Sequence, residues 1–178
     1  HSHEFRPEVI RVTDGVWVAV GFSNANAVLI EGERGSIVVD TTSHVEDAKR
    51  VKAEFAKLST APVRAIIYTH SHPDHTGGAS VFAGTDQPEI IAHRLFVDRV
   101  PDVGRAGRDG GDQFGSTLPD AQFINAGTGM EFGRHPAPTG FLPPTRTFSE
   151  DRLELTIAGV RLQLLHTPGE TRENIAVW

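Results

Sequence analysis

The sequence predicts an α/β fold, on two observations. Residues 63–68 and 89–93 are short, mostly apolar segments bounded by polar or turn residues, which is typical of buried strands. Residues 44–58 place apolar side chains at helical spacing, which predicts an amphipathic helix before the first of these strands. A chain that alternates strands and helices in this way builds a layered α/β structure.

The N-terminal part of the chain predicts further strands. Residues 9–22 alternate in polarity and are rich in Val, which favours β-structure. Residues 27–30 and 36–40 flank the turn-rich segment EGERG, which indicates a hairpin. Ser43 and Glu46 have the spacing of a capping box, so we expect Ser43 to be the N-cap of the helix.

The C-terminal part contains a region without periodicity, followed by a region that alternates in polarity. Residues 101–147 are rich in Gly and Pro and show little periodicity, which indicates a long loop region of the kind that often forms a lid or binding loop. Residues 153–165 then alternate in polarity on both sides of Ala158-Gly159, which predicts a second hairpin. A turn at 167–171 leads into the start of an apolar strand.

Composition excludes several classes of function. Lys and Arg total 17 against 23 Asp and Glu, and this acidic balance argues against a general binder of nucleic acid or anionic membranes. No apolar run is long enough for a membrane-spanning helix. The chain has no cysteine, so it offers no disulfide, thiolate ligand or cysteine nucleophile. The compartment stays open, with a periplasmic or secreted location favoured over the cytoplasm.

The segment THSHPDHTGG at 69–78 carries a metal-binding pattern. His70 and His72 are two residues apart on extended chain, so their rings project from the same side. Asp74 and His75 follow on the loop that enters the next helix. One ion cannot take all four groups from so short a segment, so we expect two metals that share a bridging oxygen. Imidazole and carboxylate ligands suit Zn²⁺ first, with Fe or Mn as alternatives. We expect the small residues 76–78 to let the following helix approach the metals.

This motif resembles the HxHxDH signature of the metallo-β-lactamase-fold hydrolases. The resemblance implies an αββα sandwich with a dinuclear site between its sheets. It also implies that His70 and His72 bind metal 1, whereas Asp74 and His75 bind metal 2. Asp74 is then also the catalytic candidate, as the ligand that orients the bridging hydroxide. Asp40, at the end of SIVVD, resembles the buried aspartate that organises the loops around the metals.

A second motif, in a turn near the end of the sequence, narrows the resemblance to one branch of the family. Most relatives carry a histidine in the turn where this chain reads Thr-Pro-Gly-Glu-Thr, and the glutamate resembles the alkylsulfatase branch of the family. The resemblance implies that Glu170 is the third ligand of metal 1, although a shift of register would make Glu173 the ligand instead. Otherwise Glu173 is a candidate for a residue that supports the ligands from behind. We expect His93 and His166 to pack at strand ends or to orient the ligands, rather than to bind a metal themselves. The long loop holds further candidates for contact with an anionic head group, although such residues are more often simply exposed: Arg105, Arg108, Arg134 and His135.

The resemblance implies a dinuclear zinc hydrolase that cleaves alkyl sulfates to an alcohol and inorganic sulfate. Other enzymes on the same fold that cleave a thioester, a lactone or a β-lactam remain alternatives, and a phosphodiesterase or nuclease is a weaker one. A metal-binding or scaffold protein without catalysis is the alternative outside enzymology.

The family pattern also requires further ligands for metal 2 beyond residue 178. We therefore expect residues 1–178 to be the N-terminal portion of the catalytic domain, namely the first sheet and the start of the second. The remainder would be another chain or a missing segment, and this portion alone would be inactive. The resemblance further implies that the full protein is a homodimer.

Overall fold

Two β-sheets pack face to face in the computed structural model, which describes residues 6–99 and 138–178. The strands described are β1 (Glu8–Thr13), β2 (Val16–Val20), β3 (Ala27–Gly32), β4 (Gly35–Val39), β5 (Val63–Ile67), β6 (Glu89–His93), β7 (Arg146–Phe148), β8 (Arg152–Ile157), β9 (Val160–His166) and β10 (Ile175–Val177). The helices described are α1 (Val45–Phe55), α2 (Pro73–Thr76) and α3 (Ala79–Ala83), with a 3-10 helix at Arg94–Arg99.

The larger sheet is mixed. Strands β1 to β4 form an antiparallel meander, whereas β4 to β7 are parallel to one another. The hairpin predicted between residues 27 and 40 is confirmed as β3 and β4. The stretch predicted at 9–22 is divided into β1 and β2, and Gly15 takes a positive φ of 73° in the turn between them.

The central strands are buried on both faces, and successive side chains belong to different cores. Val38 and Ile66 pack in the core that includes residues of α1 and α3. Their neighbours Ile37 and Ile67 pack instead against the second sheet, β10-β9-β8. A strand buried on both faces has no polar side to show, which explains the mostly apolar segments in the sequence. The predicted fold class, an incomplete αββα sandwich with the first sheet and the start of the second, is confirmed.

The predicted capping box at the start of α1 is wrong. The N-cap is His44, and no side chain caps the helix there. The hydroxyl of Ser43 is hydrogen-bonded to that of Ser23, 20 residues earlier, at 2.9 Å. Glu46 pairs with Lys49 on the helix surface. Ser43 therefore bonds to Ser23, which is distant in sequence, instead of capping the helix.

Gly77 and Gly78 pack against the loop after β4 and against α1, whereas the sequence predicted that they would face the metals. A Cβ atom on Gly78 would lie 2.1 Å from the carbonyl oxygen of Thr41 and 2.4 Å from Cβ of Ala48. On Gly77 it would lie 1.8 Å from the carbonyl oxygen of Ser43. The small residues therefore let α2 and α3 approach the loop after β4 and the side of α1, rather than the metal-binding groups.

Gly78→Ala is expected to lower the free energy of unfolding by about 3 kcal/mol, because the added methyl group would overlap backbone that cannot move freely. Gly169→Ala is the matched control, since the nearest atom to its Cβ would be 3.8 Å away. Urea denaturation of both variants measures the difference. A loss below about 1 kcal/mol for Gly78→Ala would contradict this packing.

The Gly/Pro-rich region is described only from residue 138. Gly140 donates its N–H to the carbonyl of Gly77 at 2.6 Å, and Tyr68 donates its hydroxyl to the carbonyl of Leu142 at 2.9 Å. The predicted loop runs two residues too far, because Arg146 and Thr147 already pair with β6 in β7. The candidates Arg105, Arg108, Arg134 and His135 lie outside the described residues. No helix in the described ranges has the length and apolarity needed to cross a bilayer.

Candidate metal centre

Three metal-binding side chains meet at the carboxyl end of β5. His70 and His72 follow this strand directly, and Glu170 lies in the turn between β9 and β10, about a hundred residues later. One potential ligand atom from each lies within 4.8 Å of the others. Nδ1 of His72 is 3.1 Å from a carboxylate oxygen of Glu170, and Nε2 of His70 is 3.7 Å from the other. The fold therefore brings together the three residues that the resemblance assigned to metal 1.

The chemistry of this group fits a zinc ion. Nε2 of His70 is buried, yet it has no hydrogen-bond partner among the described residues. A buried polar atom without a partner is costly, and a metal ion would satisfy it. Burial lowers the pKa of His70, and the neighbouring His75 and His72 lower it further. This favours the neutral imidazole, which is the form that binds a metal. Two imidazoles and a carboxylate form a ligand set known for Zn²⁺.

Asp40 contacts both Thr69 and His75 of the histidine loop. The residue is buried with a positive φ of 57°, and Oδ1 accepts the backbone N–H of Thr69 at 2.8 Å. Oδ2 accepts the hydroxyl of Thr69 at 2.7 Å and lies 2.7 Å from Nδ1 of His75. Burial alone would lower the pKa of His75, but the contact with Asp40 and the charges of Asp74 and Glu170 together outweigh it, and the net pKa is raised. A carboxylate at Nδ1 fixes the ring and leaves Nε2 available to a ligand.

Asp74 and His75 lie beside the group of three. Both belong to α2, and Nε2 of His75 is 3.7 Å from the carboxylate of Asp74. The ring of His75 is centred 4.0 Å from that of His70. Within the parts of the chain that the structure describes, no further His, Cys, Asp or Glu joins these two to make a second group of three.

Glu173 lies apart from the group of ligand atoms. Its side chain is buried, and one carboxylate oxygen accepts both the N–H and the hydroxyl of Ser71. Burial alone would raise the pKa of Glu173, but the hydrogen bonds, the first of them from Ser71, lower it overall and favour the carboxylate. The sequence pattern did not single out Ser71 or Thr69. Thr69 and Ser71 directly precede His70 and His72 in THSHPDH. This position is the signal, because alternate residues of an extended chain face opposite sides.

His93 and His166 form a stacked pair behind the site. Their ring centres are 3.8 Å apart and the planes differ by 8°. Nε2 of His166 lies 2.7 Å from the carbonyl oxygen of Arg172, and Phe148 packs edge-on against His93. Burial lowers the pKa of His93, and the adjacent His166 lowers it further. Neither ring belongs to the group of metal-ligating atoms in the described ranges.

A family model described as the metallo-beta-lactamase superfamily matches residues 20–178. The chain belongs to this superfamily. It is 35% identical over 160 residues to a linear primary-alkylsulfatase of Pseudomonas sp. (strain ATCC 19151), an alignment that covers 84% of this chain and 30% of that protein. It is 31% identical over 167 residues to the alpha subunit of a 2,4-dinitroanisole O-demethylase of Nocardioides sp. (strain JS1661), covering 93% of this chain and 38% of the relative.

The solved structure of the inverting sec-alkylsulfatase Pisa1 from Pseudomonas sp. superposes with a TM-score of 0.77. The sequence identity is 22%, and the match covers 97% of this chain and 29% of the other. At this identity the structure supports the fold alone. The chain spans roughly a third of the length of the curated relatives named above. Membership of the superfamily and similarity to its alkylsulfatases, both inferred from the two motifs, are confirmed.

Proposed function

We propose that the whole protein is a zinc-dependent hydrolase of sulfate monoesters, acting on alkyl sulfates. The observation that carries this proposal is the grouping of His70, His72 and Glu170 in a chain 35% identical to a linear primary-alkylsulfatase. A histidine pair completed by a glutamate is the pattern that the Thr-Pro-Gly-Glu-Thr turn predicts.

The residues of the site have three roles in this proposal: binding metal 1, binding metal 2 and orienting a ligand. His70, His72 and Glu170 hold metal 1, whereas Asp74 and His75 hold metal 2 together with groups from the rest of the protein. Asp40 keeps the ring of His75 in place through Nδ1. Zinc, when bound, supplies a water of lowered pKa and neutralises charge on the ester. Asp74 orients the attacking water toward the ester.

An open cleft beside the metal centre is the candidate substrate site, and its two arginines are the candidate contacts for a sulfate group. It has a volume of about 470 Å³, and its lining includes His72 and Glu170. Arg99 and Arg172 also line it, together with the carboxylates of Asp98 and Glu173, so its charged lining is mixed. Leu95, on the same wall, is an exposed apolar side chain that an alkyl group would contact.

We further propose that residues 1–178 are one portion of the catalytic domain, which the rest of the protein completes, and that the whole protein is a homodimer. In this proposal the portion alone holds metal 1 but does not turn over substrate, because metal 2 lacks part of its ligand set.

The whole protein, purified with zinc, is expected to release inorganic sulfate from dodecyl sulfate, and chelation of the zinc should abolish this activity. Ion chromatography of sulfate and metal analysis of the same sample measure both quantities. A β-lactam, a lactone and a thioester serve as comparison substrates. A rate on any of these that exceeds the rate on dodecyl sulfate would contradict the sulfate-ester assignment.

A second candidate is hydrolysis of an aryl methyl ether. It is favoured by the 31% identity to the 2,4-dinitroanisole O-demethylase subunit, which extends over 93% of this chain. Release of 2,4-dinitrophenol from 2,4-dinitroanisole, without sulfate release from dodecyl sulfate, would select this candidate.

A further inference from the structure

Ser71 lies between the two histidines of the metal centre, with its side chain turned away from them. Its backbone N–H and its hydroxyl both donate to the same oxygen of Glu173, at 3.2 Å and 2.5 Å. Ser71 and Glu173 are 4% and 2% exposed. This contact joins two segments that are 102 residues apart, so it is a tertiary contact and not part of a local turn.

Further hydrogen bonds hold the turn that carries Glu170, both within the turn and to the histidine loop. Asn174 accepts the N–H and the hydroxyl of Thr171 through its side chain, both at 3.0 Å, which closes the turn. The next residue, Ile175, donates its N–H to the carbonyl of Thr69 at 2.9 Å. Glu173 and Ile175 therefore attach the turn to residues 69 and 71, on either side of His70.

A buried carboxylate needs donors, and Ser71 of the histidine loop donates two hydrogen bonds to Glu173. A hydrogen bond to an ionised group contributes more than one between neutral groups, and its loss leaves a buried charge with fewer partners. The carboxylate oxygen of Glu173 that contacts Ser71 already accepts two hydrogen bonds. Glu173 is also absent from the group of ligand atoms that His70, His72 and Glu170 form in the described residues.

We propose that Glu173 is a positioning residue, which clamps the loop between His70 and His72 to the turn that carries Glu170 and so sets the spacing of the three zinc ligands. The proposal rests on the metal-1 site of the proposed function, but not on the substrate assigned to it. It also selects between the two glutamates that the sequence left open: Glu170 binds the metal and Glu173 orients the binding groups.

Zinc affinity of the whole protein and of three variants tests this proposal: Ser71→Ala, Glu173→Gln and the double variant. Competition with a chromophoric chelator measures the Kd of the metal-1 site. Each single change is expected to weaken zinc binding by roughly 10- to 100-fold, the usual effect of losing a group that orients a ligand. Because both changes break one contact, the double variant should be no more than about twofold weaker than the worse single variant.

The cobalt-substituted proteins provide a spectroscopic readout. The d–d absorption bands should keep their wavelengths in Ser71→Ala and Glu173→Gln, since the ligand set is unchanged. Glu154→Gln, at an exposed carboxylate on β8, is the control and should keep wild-type affinity. Thermal unfolding of the metal-free proteins identifies any variant that fails to fold. Ser71→Ala removes only a hydroxyl, so it carries the test if the glutamate variant does not fold.

Two results would overturn the proposal. One is unchanged zinc affinity in Ser71→Ala together with loss of zinc and a shifted cobalt spectrum in Glu173→Gln, which would make Glu173 a ligand. The other is additive loss in the double variant, which would mean that the two residues act separately. Failure of the whole protein to hydrolyse sulfate esters would contradict the proposed substrate and leave these affinity results standing.

Discussion

Glu170→Ala is expected to weaken zinc binding at the metal-1 site by about 1,000-fold or more, since a lost ligand costs more than a lost orienting group. Hydrolysis of dodecyl sulfate should fall with it to the level of the zinc-free protein. The physical reason is that the carboxylate lies 3.1 Å from His72 and 3.7 Å from His70, where it completes the group of three. Titration with zinc in the presence of a competing chelator measures the change.

Glu170→His is the informative companion variant. It supplies a third imidazole, and three histidines are also a known zinc ligand set, so it should keep zinc within about tenfold of wild type while Glu170→Ala does not. Glu154→Ala, on the surface of β8, controls for the loss of one negative charge. Wild-type zinc affinity in Glu170→Ala would show that the exposed carboxylate is a solvated turn residue and not a ligand.

Asp40→Ala is expected to lower the free energy of unfolding by about 3 kcal/mol, because it removes the acceptor for the backbone and hydroxyl of Thr69 inside the protein. It should also lower hydrolysis by about 100-fold, because the ring of His75 loses the partner that orients it. Urea denaturation, zinc content and sulfate release measure the three effects.

Asp86→Ala provides the matched control for Asp40→Ala. Its carboxylate accepts the N–H of Val63 at 2.9 Å and so holds the opposite end of β5, far from the metal-binding groups in the chain. We expect it to change stability without changing zinc content. If Asp40→Ala lowered stability alone and left zinc content and hydrolysis intact, Asp40 would be a structural residue of the strand end and nothing more.

The sequence was a good guide wherever local periodicity controls the structure. Alternation along an extended chain places His70 and His72 on one side, and the apolar run before them predicts the buried strand that ends there. Ala158 and Gly159, with positive φ values of 54° and 92°, make the predicted hairpin turn. These features depend on neighbouring residues, so a pattern of a few residues is sufficient to predict them.

Features that depend on residues distant in sequence were harder to predict. Ser43 has the pattern of an N-cap, but Ser23 occupies its hydroxyl. The stack of His93 on His166 joins β6 to β9, and no local pattern marks it. Glu170 was found only through resemblance to a family, since its approach to His72 spans about a hundred residues. The contact of Glu173 with Ser71, 102 residues earlier, is likewise not marked by any local pattern.

The position of the zinc ions tests the central claim most directly. Crystals of the zinc-loaded whole protein, measured on both sides of the zinc absorption edge, would locate the metal by its anomalous signal. We predict a peak about 2.0–2.2 Å from one atom each of His70, His72 and Glu170, the ordinary zinc distances for nitrogen and oxygen ligands. A peak bonded to Glu173 in place of Glu170, or no peak at the two histidines, would contradict the account.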